Sequence, residues 1–305
     1  MTHVLKCKEL GIYGKDIIHN PNDKSYEGFF PEEEPKQFFN FLDSKEIEIC
    51  KKIYYDHQLS KGVQLGENHF FLTYPLNYPE INEILRPKLD KLFGEWRSYS
   101  DINSDEIKQS SDFFFWQRGI FAPHTDSIIH INNYVPYKDV LIPLEIDKDV
   151  ESPYYACHQR WYGRGTHFKY GKVDNMFAVY SDVLREKTYD NYKNFKYFEY
   201  DFDKMVSEDW YDEYFGEYEK YPYSMFMGLS INKHMYWIPG SAIINDSSVI
   251  HGATNYTLKG GKFKLGITLR IYKYHPDYNP DPTYSVFPKM LGFKECTYDP
   301  KNEVL

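Results

Sequence analysis

Apolar and polar side chains alternate with the period of a β-strand in two stretches that dominate the pattern of this chain. In the later one, Phe263, Leu265, Ile267 and Leu269 alternate with Lys264, Gly266, Thr268 and Arg270. A period of two puts the apolar set on one face and Lys264, Thr268 and Arg270 on the other. In the earlier one, Phe113, Phe115 and Gln117 alternate with Phe114, Trp116 and Arg118, and the strand leads into Pro123-His124-Thr125-Asp126. Between them, Val140–Leu144 reads as a short apolar strand, Pro239-Gly240 as a tight turn, and Ala242-Ile243-Ile244 as another apolar run. Val249-Ile250 then leads into His251 and Gly252.

Helical spacing is confined to the N-terminal third. Asp43 followed by Glu46 resembles a capping box, and Ile47, Ile49-Cys50 and Ile53-Tyr54 predict an amphipathic helix to about Leu59. Ile81, Ile84-Leu85, Leu89, Leu92-Phe93 and Trp96 predict a second helix, which Pro87 should kink or start anew. Both are expected to cover the outer face of a sheet. Phe38–Leu42 reads as a short strand, while residues 1–36 and the chain beyond Tyr274 read as irregular.

Composition narrows the function. A formal net charge of -9 argues against an unaided binder of nucleic-acid backbone, which needs a basic surface. Cys7, Cys50, Cys157 and Cys296 lie far apart with no Cys-x-x-Cys, so four free thiols in a reducing compartment are expected. The N-terminal residues lack an apolar signal region and no run approaches a membrane span, so a soluble cytoplasmic protein is expected. Residues 171–224 stand apart, with thirteen acidic against seven basic residues and ten tyrosines. They are either a lid that selects substrate or a peripheral decoration packing its tyrosines on the sheet.

The candidate chemistry lies where the strands end. Residues i and i+2 of an extended segment share a face, so His124 and Asp126 can bind one ion together. With His251 they form a two-histidine, one-carboxylate set, which suits non-haem Fe(II) and leaves coordination positions open. The cations on the following strand imply an anionic ligand beside the metal. A lone His-x-Asp is a weak signal; the specific one is the order of strand, His-x-Asp, Pro-Gly turn, strand, His and basic strand.

That order resembles the iron(II)- and 2-oxoglutarate-dependent oxygenases over residues 111–144 and 235–274, and is nearest to phytanoyl-CoA-hydroxylase-like and prolyl-hydroxylase-like members. The resemblance implies a mainly β, jelly-roll (double-stranded β-helix) core with flanking α-helices. The single domain, 1–305, would have a helical flank at 37–110, core strands in 111–170 and 225–274, and the acidic insertion at 171–224. It implies Fe(II) on His124, Asp126 and His251, with 2-oxoglutarate and O2 as cosubstrates. Lys264 is the better candidate for the 5-carboxylate, with Arg270 deeper, near the 1-carboxylate or the metal-ligand carboxylate. Thr268 could add a hydrogen bond, and Gln117 either reaches 2-oxoglutarate or satisfies a strand edge. The implied reaction is hydroxylation of an unactivated C–H bond in a small polar substrate, giving succinate and CO2. A carboxylate at Asp126 favours that over halogen transfer.

Two alternatives stay open: a cupin-type metalloenzyme that does not use 2-oxoglutarate, and a non-catalytic jelly-roll binding module. Arg118 either reaches substrate or satisfies a strand edge. Within 154–170, Arg160, Trp161 and Arg164 either form a substrate wall, with guanidiniums suited to carboxylate or phosphate, or belong to a strand paired with the acidic segment. His130, His158 and His167 lack the spacing of His124 and His251.

Overall fold

The computed structural model describes residues 26, 28–61, 63–64, 69–102, 112–120, 123–126, 133–147, 150–161, 169–170, 173–174, 195–196, 206–216, 223, 226 and 229–279. In chain order the elements are β1 (Lys36–Phe38), α1 (Ser44–Lys61), β2 (Val63–Gln64), β3 (His69–Thr73), α2 (Pro79–Phe93), β4 (Arg97–Ser98), β5 (Phe113–Gln117), β6 (Tyr134–Ile146) and β7 (Pro153–Trp161). There follow β8 (Lys169–Tyr170), β9 (Val173–Asp174), β10 (Phe195–Lys196), α3 (Glu208–Phe215), β11 (Ile231–Tyr236), β12 (Ala242–Asp246), β13 (Val249–Ala253) and β14 (Lys264–Tyr274).

The core winds between two antiparallel sheets. β5, β14, β6 and β12 lie side by side in one; the His124 segment, β13, β7 and β11 lie side by side in the other. The architecture is a double-stranded β-helix. β14 is its central strand, paired with β6 from Lys264↔Ile146 to Tyr274↔Tyr134 and with β5 from Lys264↔Gln117 to Thr268↔Phe113. β1 extends the larger sheet beyond β12, and β3 and β2 extend it beyond β5.

The apolar face of β14 points outward, beneath the helices. Leu265, Ile267, Leu269 and Ile271 pack with Phe114, Val140 and Ile142, and with Tyr54 of α1 and Leu85 and Leu89 of α2. α1 starts as its sequence predicts: Asp43 Oδ1 accepts from the N–H groups of Lys45 and Glu46 at 2.8 and 2.9 Å, and Glu46 Oε2 accepts from Asp43 N at 2.8 Å. α2 does not start anew at its proline. It runs unbroken through Pro87, which is exposed, while Ile81, Leu85, Leu89 and Phe93 are buried at four-residue intervals. The burial of that stripe holds the helix together where a solvent-facing proline removes one hydrogen bond. Trp96 lies beyond the helix end and donates to Asp90 at 2.8 Å. The strand expected over Phe38–Leu42 stops at Phe38, and Asn40 adopts a positive φ of 54° in the turn that follows.

The outer face of the smaller sheet is covered by α3, the one helix described in the acidic stretch. Ser207 caps it by accepting from Trp210 N at 3.1 Å, and Tyr211 and Phe215 pack against Tyr155, Cys157 and Ile250. Most of the remainder of 171–224 lies outside the described residues. No helix among the described residues is long and apolar enough to cross a membrane.

With both outer faces covered, the polar face of β14 is enclosed between the sheets. Lys264, Thr268 and Arg270 are only 1%, 5% and 4% exposed. Sequence alternation separates the two faces of this strand, but both turn out to be buried.

Candidate metal centre

His124 and His251 are brought together by the backbone. Each donates its N–H to the other's carbonyl at 2.9 Å, a closed antiparallel pair that joins two segments distant in sequence. Directly opposed residues project to the same side of a sheet, and the two imidazole centroids lie 4.5 Å apart. Asp126, two residues beyond His124 in extended chain, turns to the same point. One ligating atom from each of His124, Asp126 and His251 lies within 4.8 Å of the others. Asp126 Oδ2 is 3.2 Å from His251 Nε2, and Oδ1 is 3.5 Å from His124 Nε2. This is a two-histidine, one-carboxylate set.

The ligand side chains are held by their neighbours. His251 Nδ1 lies 2.9 Å from the Val249 carbonyl, which can only accept, so that nitrogen carries a hydrogen and Nε2 is the atom turned toward Asp126. Tyr154 stacks on the same ring at 5.4 Å, and its hydroxyl accepts from Asn245 Nδ2 at 2.6 Å. Burial works against ionisation of Asp126, but Arg270 and the two histidines outweigh it and hold the carboxyl well below its ordinary range. Arg270 Nη2 reaches Asp126 Oδ1 at 2.7 Å, and Nη1 donates to Thr268 Oγ1. Two ring nitrogens and an ionised carboxylate gathered at one buried point fit a divalent transition metal.

A second cation faces the same interior from the start of β14. Lys264 Nζ lies 4.7 Å from the ring centroid of Trp237 and 4.5 Å from that of Tyr256, and donates to Ser152 Oγ at 3.4 Å. No carboxylate among the described residues pairs with it, and burial pushes its ammonium down to about 7. Gly266 makes room for this arrangement: a Cβ there would lie 2.8 Å from the Trp237 indole and 3.0 Å from the Ile142 carbonyl. The indole is held by its N–H to Glu145 O at 2.9 Å.

The other candidates fall elsewhere. Gln117 is buried beside Lys264 as its register partner, but its side-chain amide donates to Gly119 O. Arg118 shares the outer face with Trp116, its guanidinium 5.0 Å over the indole, and is exposed rather than turned into the barrel. Arg160 is engaged at a corner of the barrel. It donates to Asp246 Oδ2 at 2.6 Å and to Glu33 O at 2.9 Å, with Glu32 at 3.6 Å, while Lys138 binds the other oxygen of Asp246. The acidic partners of Arg160 thus come from β12 and the N-terminal chain, so its fork is already filled, while the backbone of β7 pairs here with β10 of the acidic segment, Lys196 opposite Arg160. The Trp161 side chain, Arg164, His130 and His167 lie outside the described residues.

Sequence reasoning missed Trp237, Tyr256, Ser152, Tyr154 and Asp139 as parts of this interior. Only Asp139 carried a signal, as an acid entering the apolar run Val140–Leu144. The others are single residues whose role depends on which sheet face they reach.

No protein-family model matches the sequence, and no curated protein matches it. Solved structures of similar shape include the epimerase SnoN in complex with Fe3+, alpha-ketoglutarate and nogalamycin RO, at 9% identity over 81% of this chain and 88% of that one, with a TM-score of 0.41. A prolyl hydroxylase from Trichoplax adhaerens is similar at 11% identity, 78% and 83% coverage and a TM-score of 0.37. HygX from Streptomyces hygroscopicus, with nickel, 2-oxoglutarate and hygromycin B bound, is similar at 12% identity, 79% and 82% coverage and a TM-score of 0.39. Similarity at this level transfers no activity to this chain.

Proposed function

We propose that the protein is an Fe(II)- and 2-oxoglutarate-dependent dioxygenase that hydroxylates an unactivated C–H bond of a small polar substrate. The observation that carries this reading is the pairing, inside one barrel, of a two-histidine, one-carboxylate set with a buried lysine that has no carboxylate partner among the described residues. An unpaired buried ammonium is costly, and a bound anion would relieve that cost. A cupin-type enzyme working without 2-oxoglutarate has no use for such a cation.

His124 Nε2, His251 Nε2 and one oxygen of Asp126 would hold the iron. When bound, iron(II) with 2-oxoglutarate and O2 supplies an oxidative decarboxylation to succinate and CO2 and the oxidising power to break a strong C–H bond. Lys264 would hold the 5-carboxylate of 2-oxoglutarate, taking up a proton on Nζ as the dianion arrives. Trp237 and Tyr256 keep water from that ammonium, which strengthens the pair. Arg270 keeps Asp126 ionised and so available as a ligand. Thr268 Oγ1 accepts from Arg270, leaving its hydroxyl hydrogen for a second acceptor.

The chain would be one oxygenase domain, with 171–224 as an insertion between its core strands. The test is anaerobic addition of Fe(II) and 2-oxoglutarate, followed by oxygen. A visible charge-transfer band and 2-oxoglutarate-dependent succinate formation are expected. A protein that binds iron but gives neither signal is not a 2-oxoglutarate oxygenase.

A further inference from the structure

Asp139 lies in β6, where Val140, Ile142 and Leu144 pack outward beneath the helices. Alternation therefore turns Asp139 into the barrel, at 4% exposure. It is the register partner of Arg270 on one side and of Asn245 on the other, so three polar residues form a row across the larger sheet. Its Oδ1 accepts from Ser247 Oγ at 3.1 Å and lies 3.7 Å from Arg270 Nε. Its Oδ2 is buried without a hydrogen-bond partner among the described residues.

We propose that Asp139 is a positioning residue for the metal centre, acting through Arg270 on the Asp126 carboxylate. This rests on the reading of His124, Asp126 and His251 as metal ligands. The Arg270 guanidinium is held at three places. Nη1 donates to Thr268 Oγ1, Nε donates to the Asp126 carbonyl oxygen at 3.4 Å with Asp139 Oδ1 beside it at 3.7 Å, and Nη2 points at Asp126 Oδ1 at 2.7 Å. A planar guanidinium held at two of its nitrogens has no freedom to turn the third away. Asp126 Oδ1 is thereby engaged, and Oδ2, 3.2 Å from His251 Nε2, is the oxygen that would be left for an ion. Ser247 closes the chain of contacts, since it sits in the turn between β12 and β13, four residues before His251.

Outer-shell partners of metal ligands typically change metal affinity by about 10–100-fold when replaced.

The experiment is titration of Co(II) into the metal-free protein, read by its visible d–d bands, for the parent, Asp139→Asn and Ser247→Ala. Asp139→Asn keeps the shape and the Ser247 contact but removes the carboxylate that faces Arg270 Nε. It should weaken Co(II) binding roughly tenfold or more and change the band positions. Ser247→Ala should give a smaller loss of the same kind, and it keeps the test open if Asp139→Asn fails to fold. Parent affinity and parent bands in both variants would overturn the role of Asp139 while leaving the metal site standing. A parent that binds no Co(II) would overturn the metal site and this proposal together.

Discussion

Lys264 gives the most discriminating prediction, because its charge state is tied to ligand binding. Burial among Trp237 and Tyr256 lowers its ammonium from the ordinary 10.5 to about 7, which corresponds to roughly 5 kcal/mol of disfavoured charge. A carboxylate placed against it restores the protonated form, so 2-oxoglutarate should bind together with one proton at any pH above 7. The apparent Kd should then rise about tenfold per pH unit between roughly 7.5 and 9; 2-oxoglutarate does not titrate in that range. Lys264→Met should remove the slope and weaken binding at pH 7.5 at least about tenfold, since losing a buried charge pair costs on the order of 2–5 kcal/mol. Anaerobic calorimetry on the Mn(II)-loaded protein, in buffers of different ionisation enthalpy, reads both the affinity and the protons taken up. An affinity that does not change with pH, with no proton uptake, would refute the reasoning. Unchanged affinity in Lys264→Met with a large loss in an Arg270 variant would move the role to Arg270. The same shift affects stability without ligand. Between pH 7 and 10.5 the unfolded chain holds a proton on this lysine that the folded protein lacks, so its contribution to stability rises with pH across that window and is flat below it. Lys264→Met should abolish that part of the rise.

His124→Ala, Asp126→Ala and His251→Ala should each lose tight Fe(II) binding, and Asp126→Ala should also melt lower without metal, because Arg270 loses a buried partner; equal iron content in all four proteins would remove the triad assignment. Arg270→Met should destabilise the protein by about 3–5 kcal/mol in urea unfolding, because it leaves Asp126 and Asp139 buried without their cation; a midpoint like the parent's would show that the network is not needed for folding. Gly266→Ala should cost about 1–3 kcal/mol, as its Cβ meets the Trp237 indole and a carbonyl of β6, and a neutral result would mean the indole moves freely. With Asp126 intact the product should be hydroxylated, and a chlorinated product from the unaltered protein would contradict that reading.

Local pattern determined much of this protein. The capping box at Asp43 and Glu46 set the start of α1, because both halves of that contact lie within one turn. Strict alternation gave β14 its two faces, and the spacing of His124 and Asp126 put two ligand side chains on one side of an extended segment. These are properties of neighbours in sequence, and a period can be read without knowing the fold. What the alternation of β14 left open was which face would be enclosed. The helices cover Leu265, Ile267 and Leu269 while the smaller sheet closes over Lys264, Thr268 and Arg270, so an apparently amphipathic strand is buried on both sides. Arg160 and Arg118 show the same limit. Both were chemically suited to an anion, but one is filled by Asp246 and the N-terminal chain and the other stacks outside on Trp116. The pairing of Asp139 with Arg270, and of Trp237 with Gly266, joins residues more than a hundred positions and nearly thirty positions apart. Such contacts depend on strand register and on sheet-to-sheet packing, which arise only when the whole barrel closes.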